Sequence, residues 1–407
     1  MLRRLLIGRG ARAVHNLATV PNATLRVVAG PKCTRIIVQT NMETYSAQLE
    51  GTNDDGTPCA DDAMASWAHA DAESGDLDVT THAHTATISI PASFNVGVYA
   101  GGDCDVDMKG WLEGTVDVVV DGRGSVGVNT VRGLLTRVAS GGGDVRVDHV
   151  EGNLDVNNGD SGSVTLGKIM GEDVRVVSGG AFKSRAIYAK RLDVRAEGGA
   201  DASVTSAEEG LLDLKGESTL HSAEGALNLT HRGGGLLTIQ ASEQLRALTV
   251  RAPVASGGAQ LKVNLPSGMR ARAEVLAASL DLGEGVEAVE VSRAGLSSGG
   301  APAEAAAFLT PPAPLSTTGT KEFAGYESGS TTSATPWWSA AARNSWAEGG
   351  SETAAGSVSY LLGGAKVDGE ACELRIVAAE AEVSIDSQSW FEQRLKGRTE
   401  HRPQPYR

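Results

Sequence analysis

Asp144-Val145-Arg146-Val147-Asp148, followed by Leu154-Asp155-Val156 and closed by Asn157-Asn158-Gly159, is the stretch from which the fold can be read. Every second residue is aliphatic and the residues between are charged, as a strand with one face in a core requires. The same G-x-[VL]-x-[VL] pattern recurs as Val126/Val128, Val164/Leu166, Val174/Val176 and Leu192/Val194. It continues as Leu212/Leu214, Leu227/Leu229, Leu237/Ile239 and Leu248/Val250. The first members at 145, 154, 164 and 174 stand nine or ten residues apart, and the register slips between 212 and 227. Such a fixed short period marks a stacked repeat.

Strands of four or five residues, separated by Gly, Asn and Ser clusters such as Gly141-Gly142-Gly143 and Ser178-Gly179-Gly180, predict a solenoid. Each coil buries its aliphatic row on the row below, so no repeat is stable alone. The expected fold is all-β: a single-chain parallel β-helix with short Gly-rich turns and two strands in each coil of about 19 residues. Eight such coils over 112–265, at ~4.8 Å each, would make a rod of about 40 Å. An antiparallel sandwich with short, evenly spaced strands competes. The absence of Asn-Gly or Asp-Gly hairpin turns at fixed places favours the solenoid. Composition agrees: 4% of residues are aromatic, 51 are Gly, and only Phe182 and Tyr188 interrupt the aliphatic stretch between Leu112 and Ser292. A narrow coil has room for stacked Val and Leu and little for Trp.

The 407 residues divide by composition. Residues 1–22 are basic and acid-free with interspersed Leu and Val, which predicts an organelle transit peptide, mitochondrial in preference to plastid or cytoplasmic. Lead-in strands are expected over 23–111 and β-helix repeats over 112–293. In 294–357, 47 of 64 residues are Ala, Gly, Ser, Thr or Pro, so 294–356 is expected to be a disordered insertion within the domain. Strand patterning resumes over 357–392, expected to close the same domain, and 393–407 is a basic tail. The N-terminal strands and the 357–390 segment should cover the two ends, because an open solenoid end exposes unpaired backbone.

A net charge of −14 argues against nucleic acid as a partner, and no run of ~18 apolar residues is present to span a membrane. Cys33, Cys59, Cys104 and Cys372 are scattered without a CxxC, a pattern that fits neither a disulfide scaffold nor a zinc site and reads as free thiols in a reducing compartment.

The repeated GxVxV strands, the scarcity of aromatics and the closing Ser389-Trp390-Phe391 resemble the bacterial putative-adhesin β-helix domain of unknown function, and most of all its eukaryotic, organelle-targeted relatives. The resemblance covers roughly 75–390 apart from the insertion. It implies a non-enzymatic β-helical body for surface or partner binding, and it hands over no catalytic residue.

Several short motifs carry possible chemistry and a plainer explanation. Gly122-Arg123-Gly124-Ser125-Val126-Gly127 matches GxGxxG, but strand-like residues follow where a dinucleotide site needs a helix. In Gly162–Lys168 a phosphate loop fails at Ile169, where Ser or Thr must ligate Mg²⁺. Gly159-Asp160-Ser161-Gly162 resembles a serine-protease nucleophile segment, but His149 is poorly placed as its base. Asp103, Asp105 and Asp107 alternate as a one-faced carboxylate row, and Asp54, Asp55, Asp61 and Asp62 form a second acidic cluster. Both read as solvated faces more readily than as Ca²⁺ sites. His82 and His84 share one face of a possible strand without a third ligand. Asn228-Leu229-Thr230 is a glycosylation sequon only in a secreted chain. Trp337, Trp338 and Trp346 cluster in the insertion as a candidate docking segment.

The sequence therefore assigns no catalytic, cofactor-binding or metal residue. It points to an adhesin-like structural or binding module whose flat outer sheet engages an unknown protein or glycan partner. A carbohydrate-active lyase or hydrolase on a β-helix is the alternative, and few aromatic sugar platforms weigh against it.

Overall fold

The computed structural model describes residues 15–18, 22–41, 46–59, 65–71, 75–159, 161–252, 258–267, 269, 271–283, 286, 288–293, 358–362 and 372–388. The segments 294–356 and 393–407, and with them the three clustered tryptophans, lie outside the described residues. All regular elements among the described residues are strands.

The centre is a parallel β-helix. Seven long strands, β11 (Val126–Ser140), β12 (Val145–Asn158), β13 (Val164–Ser178), β14 (Phe182–Ala196), β15 (Ala200–Lys215), β16 (Ser218–Arg232) and β17 (Gly235–Arg251), each form one rung and pair in parallel with the next. The first half of each rung pairs with the first half of the next, and the second half with the second half, as parts of one continuous sheet. Val138, Val156, Val176, Val194, Leu212, Leu229 and Val250 are successive register partners, all nearly inaccessible to water. Each such side chain contributes roughly 1.5–3 kcal/mol on burial, most of it offset by ordering entropy.

The rungs differ from the expected strand-turn-strand coil in one respect. Only one side of the coil is a turn; on the other the strand bends and continues, with register shifts such as that between Arg132 and Leu135. A bulge keeps most of the backbone paired through the bend, where a turn would leave more groups unsatisfied. Glycine permits the close stacking there: a Cβ on Gly152, whose φ is +142°, would lie 1.8 Å from the Gly133 carbonyl oxygen. The slip between 212 and 227 has the same origin. A shift between Ser206 and Gly210 makes Leu229, and not Leu227, the partner of Leu212.

On the turn side, buried polar residues serve the backbone of the Gly-rich loops. Ser140 Oγ accepts from Gly143 N at 3.1 Å, Asn158 Nδ2 donates to Ser163 O at 3.1 Å, and Ser178 Oγ donates to Gly180 O at 3.1 Å. Ser140, Asn158 and Ser178 are register partners, so three successive rungs repeat the device, and the next two places in the column are the apolar Ala196 and Leu214.

Both ends are interleaved. Residues β2 (Thr24–Ala29) and β3 (Arg35–Thr40) do not begin the stack. They lie between the rung β6 (Asp76–Thr81) and β7 (Thr85–Ile90) and the rung β8 (Asn95–Gly101) and β9 (Asp105–Leu112), parallel to both. From there β9 pairs with β11, and β8 leads through β10 (Val116–Asp121) to β11. Antiparallel strands finish this end: β4 (Ser46–Thr52) on β7, β5 (Ala65–Asp71) on β6 and β1 (His15–Ala18) on β4. Part of the segment read as a transit peptide thus pairs with the body.

At the other end β22 (Cys372–Gln388) lies between β17 with β18 (Ala259–Pro266) on one side and β19 (Ala271–Leu282) on the other, parallel to all three. The expectation that 357–390 as a whole covers the end needs correction. Its alternating Leu374, Ile376, Val383 and Ile385 are buried as the columns of an interior rung. The end is closed by β21 (Val358–Leu362), antiparallel to β19, and by β20 (Ala288–Arg293), antiparallel to β21. Reversed strands break the parallel stacking and blunt the edge against further addition.

Candidate binding edge

The outer face formed by the second halves of the rungs carries an alternating charge ladder. Asp117, Arg137, Asp155, Arg175 and Asp193 are consecutive register partners, and Arg26 pairs with Asp78 at 3.5 Å further along. Burial raises the pKa of Asp117 and of Asp193, and Arg137 and Arg175 respectively oppose that shift. Like charges are kept apart by the alternation, and each charge has an opposite neighbour on the next rung.

The bend edge is different. Leu134 is 86% exposed, Tyr188 46% and Met170 41%. Gly133, Gly152 and Gly171 supply a floor without side chains to a shallow cleft of about 440 Å³, bounded by Leu134, Glu151, Asn153, Met170 and Glu172. Arg132, Glu151, Met170 and Tyr188 are register partners along the column. These residues project because the bulges turn the bend positions outward, away from the dry column.

Paired charges surround the apolar group. Arg132 Nε lies 3.1 Å from Glu151 Oε2, His149 Nε2 lies 3.0 Å from Glu151 Oε1, and Lys190 donates to Glu172. The hydrogen bond with His149 and the Arg132 charge hold the Glu151 carboxyl below its ordinary range; the Lys190 hydrogen bond does the same for Glu172. The Arg132 guanidinium also stacks 4.4 Å from the centre of the Trp111 ring. An apolar centre inside a ring of satisfied charges is suited to taking up an apolar side chain of another molecule.

The motifs singled out in the sequence fall elsewhere. Ser125 of the GxGxxG stretch donates from N and Oγ to Asp105 Oδ1, at 2.8 and 2.7 Å, as a rung-to-rung turn contact. Ser163, in the phosphate-loop look-alike, makes the same two bonds to Asp144 Oδ1. Asp103 accepts from Arg123 N at 3.3 Å and Asp107 from Arg35 Nε at 3.2 Å, so the three alternating aspartates serve different partners and do not converge. His149 is engaged by Glu151. His82 and His84 sit in the turn between β6 and β7, not on a strand; His84 Nε2 lies 3.0 Å from Thr34 Oγ1 and 3.4 Å from Asp54 Oδ1. Leu229 of the sequon is a buried column residue. Asp160, Asp61 and Asp62 lie outside the described residues. Among the described residues no three His, Cys, Asp or Glu side chains come together as a metal site. Also among them, no helix is long and apolar enough to cross a membrane.

Sequence reasoning missed Leu134, Met170 and Tyr188. The available signal was Leu134, which follows Gly133 directly and falls between aliphatic pairs.

No family model matches the chain, and no curated protein matches it. Two solved bacterial structures do. A putative adhesin from Bacteroides fragilis is 15% identical over 63% of this chain and 98% of its own, with a TM-score of 0.30. A putative cell adhesion protein from Clostridium sporogenes is 7% identical over 93% of this chain and 100% of its own, with a TM-score of 0.15. At TM-scores this low the likenesses carry no argument about what the chain does.

Proposed function

We propose that the protein is a non-enzymatic, adhesin-like β-helical binding module that docks a macromolecular partner on its bend edge. The observation that carries this reading is the exposure of Leu134 and Met170 above a glycine floor and beside paired charges, with exposed Tyr188 next to Met170 in register. Covering an exposed aliphatic side chain is worth roughly 1.5–3 kcal/mol, and Leu134, at 86% exposure, contributes little to the solenoid's own packing. The flat outer sheet is the weaker candidate, since its ladder charges already face opposite charges.

The carbohydrate-active alternative would draw on Glu151 and Glu172, the two carboxylates beside the cleft. Glycoside hydrolysis needs one carboxyl protonated near neutrality. Both are ion-paired and pulled toward the charged form, which weighs against that chemistry. The basic, acid-free N-terminus supports a mitochondrial address, which a fluorescent fusion of residues 1–30 tests by its co-localisation.

The binding test is proximity labelling from the full chain in the intact organelle, compared with Leu134→Arg. The reading expects a set of labelled partners that is lost in the variant while its thermal unfolding is unchanged. Retention of the same partners by Leu134→Arg, or release of reducing sugar from acidic glycans by the wild type, would overturn it.

A further inference from the structure

Cys33 and Cys104 are 71 positions apart in sequence, yet their sulfurs lie 4.0 Å apart and both side chains are buried. The interleaving of the N-terminal rung brings them together. Cys33 precedes β3 and Cys104 precedes β9, and Arg35 and Asp105 are register partners just beyond them. Asp105 N donates to Thr34 O at 2.9 Å, so the two cysteines occupy stacked corners of adjacent rungs, one residue out of register. Adjacent rungs stand ~4.8 Å apart, inside the range of roughly 4.4–6.8 Å that disulfide α-carbons span. Neither Cys59 nor Cys372 has such a neighbour among the described contacts: Cys59 Sγ donates to Asn53 Oδ1 and Cys372 Sγ to Glu373 O.

We propose that Cys33 and Cys104 are a redox-active pair whose disulfide staples the interleaved N-terminal rung to its neighbour. The co-reactant is a small-molecule disulfide such as oxidised glutathione. The Cys33 thiolate attacks one glutathione sulfur, forming a mixed disulfide, and the departing glutathione thiolate takes up the proton Cys33 gave off. Cys104 then loses its proton and attacks Cys33 Sγ. The mixed disulfide breaks, and the second glutathione thiolate leaves and is protonated. Two protein thiols are oxidised and one glutathione disulfide is reduced to two thiols.

The order of events follows from access, and the contact between the two sulfurs acts in the same direction. Cys104 donates to Cys33, which lowers the Cys33 thiol and, together with burial, raises that of Cys104. Cys33 is also the more accessible of the two, at 5% against 1%, so it is the sulfur that glutathione meets first. This inference is independent of the binding edge.

The test equilibrates the full-length chain in oxidised and reduced glutathione buffers, quenches with an alkylating agent and maps peptides without reduction. A Cys33–Cys104 cross-linked peptide pair, lighter by about 2 Da than the two thiol peptides, is expected in the native chain. It should disappear in Cys104→Ala, and amide exchange over residues 24–40 should slow by about tenfold on oxidation and recover on reduction. Wild-type mapping alone decides the matter should the variant fail to fold. Four alkylated thiols at oxidising poise, a glutathione adduct that persists on Cys33, or cross-links scrambled to Cys59 or Cys372 would each overturn the proposal.

Discussion

Gln260 on β18 donates from Nε2 to Glu382 Oε2 on β22 at 3.3 Å, across 122 positions of sequence. The contact exists because the chain passes one rung of its solenoid by and fills it later with β22, the last strand among the described residues. Arg35 and Asp107, 72 positions apart, mark the interleaving at the other end, where the later β6–β7 and β8–β9 stack on opposite sides of the early β2–β3. Loop-closure entropy grows only slowly with loop length, so filling a rung from far away costs little more than filling it in order. Burying a complete rung on both edges outweighs that difference.

Truncation after Gly356 removes β21 and β22 together. It leaves β17 and β18 on one side, and β19 on the other, with unpaired parallel edges. The truncated chain should lose hydrogen-exchange protection over 247–282 and aggregate in size-exclusion chromatography, with β11–β16 the last part to exchange. A soluble, monodisperse product with wild-type protection would show that β22 is not an interior rung.

The glycine bend column leaves no room for a side chain. Gly152→Val combines a strained φ with a backbone clash and should cost roughly 2–5 kcal/mol in urea unfolding. Gly101→Ala, where nothing lies within 4 Å of the new Cβ, should stay within about 0.5 kcal/mol of wild type.

Two leucines twenty residues apart in sequence should behave oppositely. Leu154, at 1% exposure, belongs to the dry column, so Leu154→Ala should destabilise by roughly 2–5 kcal/mol. Leu134→Ala should change stability by less than about 0.5 kcal/mol and weaken partner capture instead. Equal stability losses in the two would mean that the bend edge is part of the core.

Glu197 supplies a pH dependence. Burial works against its carboxylate, but hydrogen bonds from Arg232 and Arg195 outweigh that and hold its pKa at about 2, below the ordinary value of 4.5. Because the folded value is depressed, its stabilisation is fully present above the unfolded pKa. It is lost as pH falls from about 4.5 through about 2. Protection of β14–β16 should decline over that window in the wild type and show a smaller decline in Glu197→Gln, read by hydrogen exchange at matched intrinsic rates.

The repeat itself was legible from residues such as Val145 and Val147, because alternation and period are local properties that two neighbouring rungs suffice to express. Gly-rich turn positions were legible for the same reason. The continuous bend was not, since whether Gly133 and Gly152 stop a strand or let it stack depends on the carbonyl of the rung beneath. Rung order was hidden more deeply. A parallel ladder is made of backbone groups that every strand carries, and a buried row of Leu374, Ile376, Val383 and Ile385 matches any level of the same column. The amino-acid pattern therefore determines that such a strand stacks, while only the assembled solenoid decides where. That decision brings Cys33 to Cys104 and gives β2, β3 and β22 interior places, and the bulged bends beside Gly133 and Gly152 turn Leu134 to the solvent.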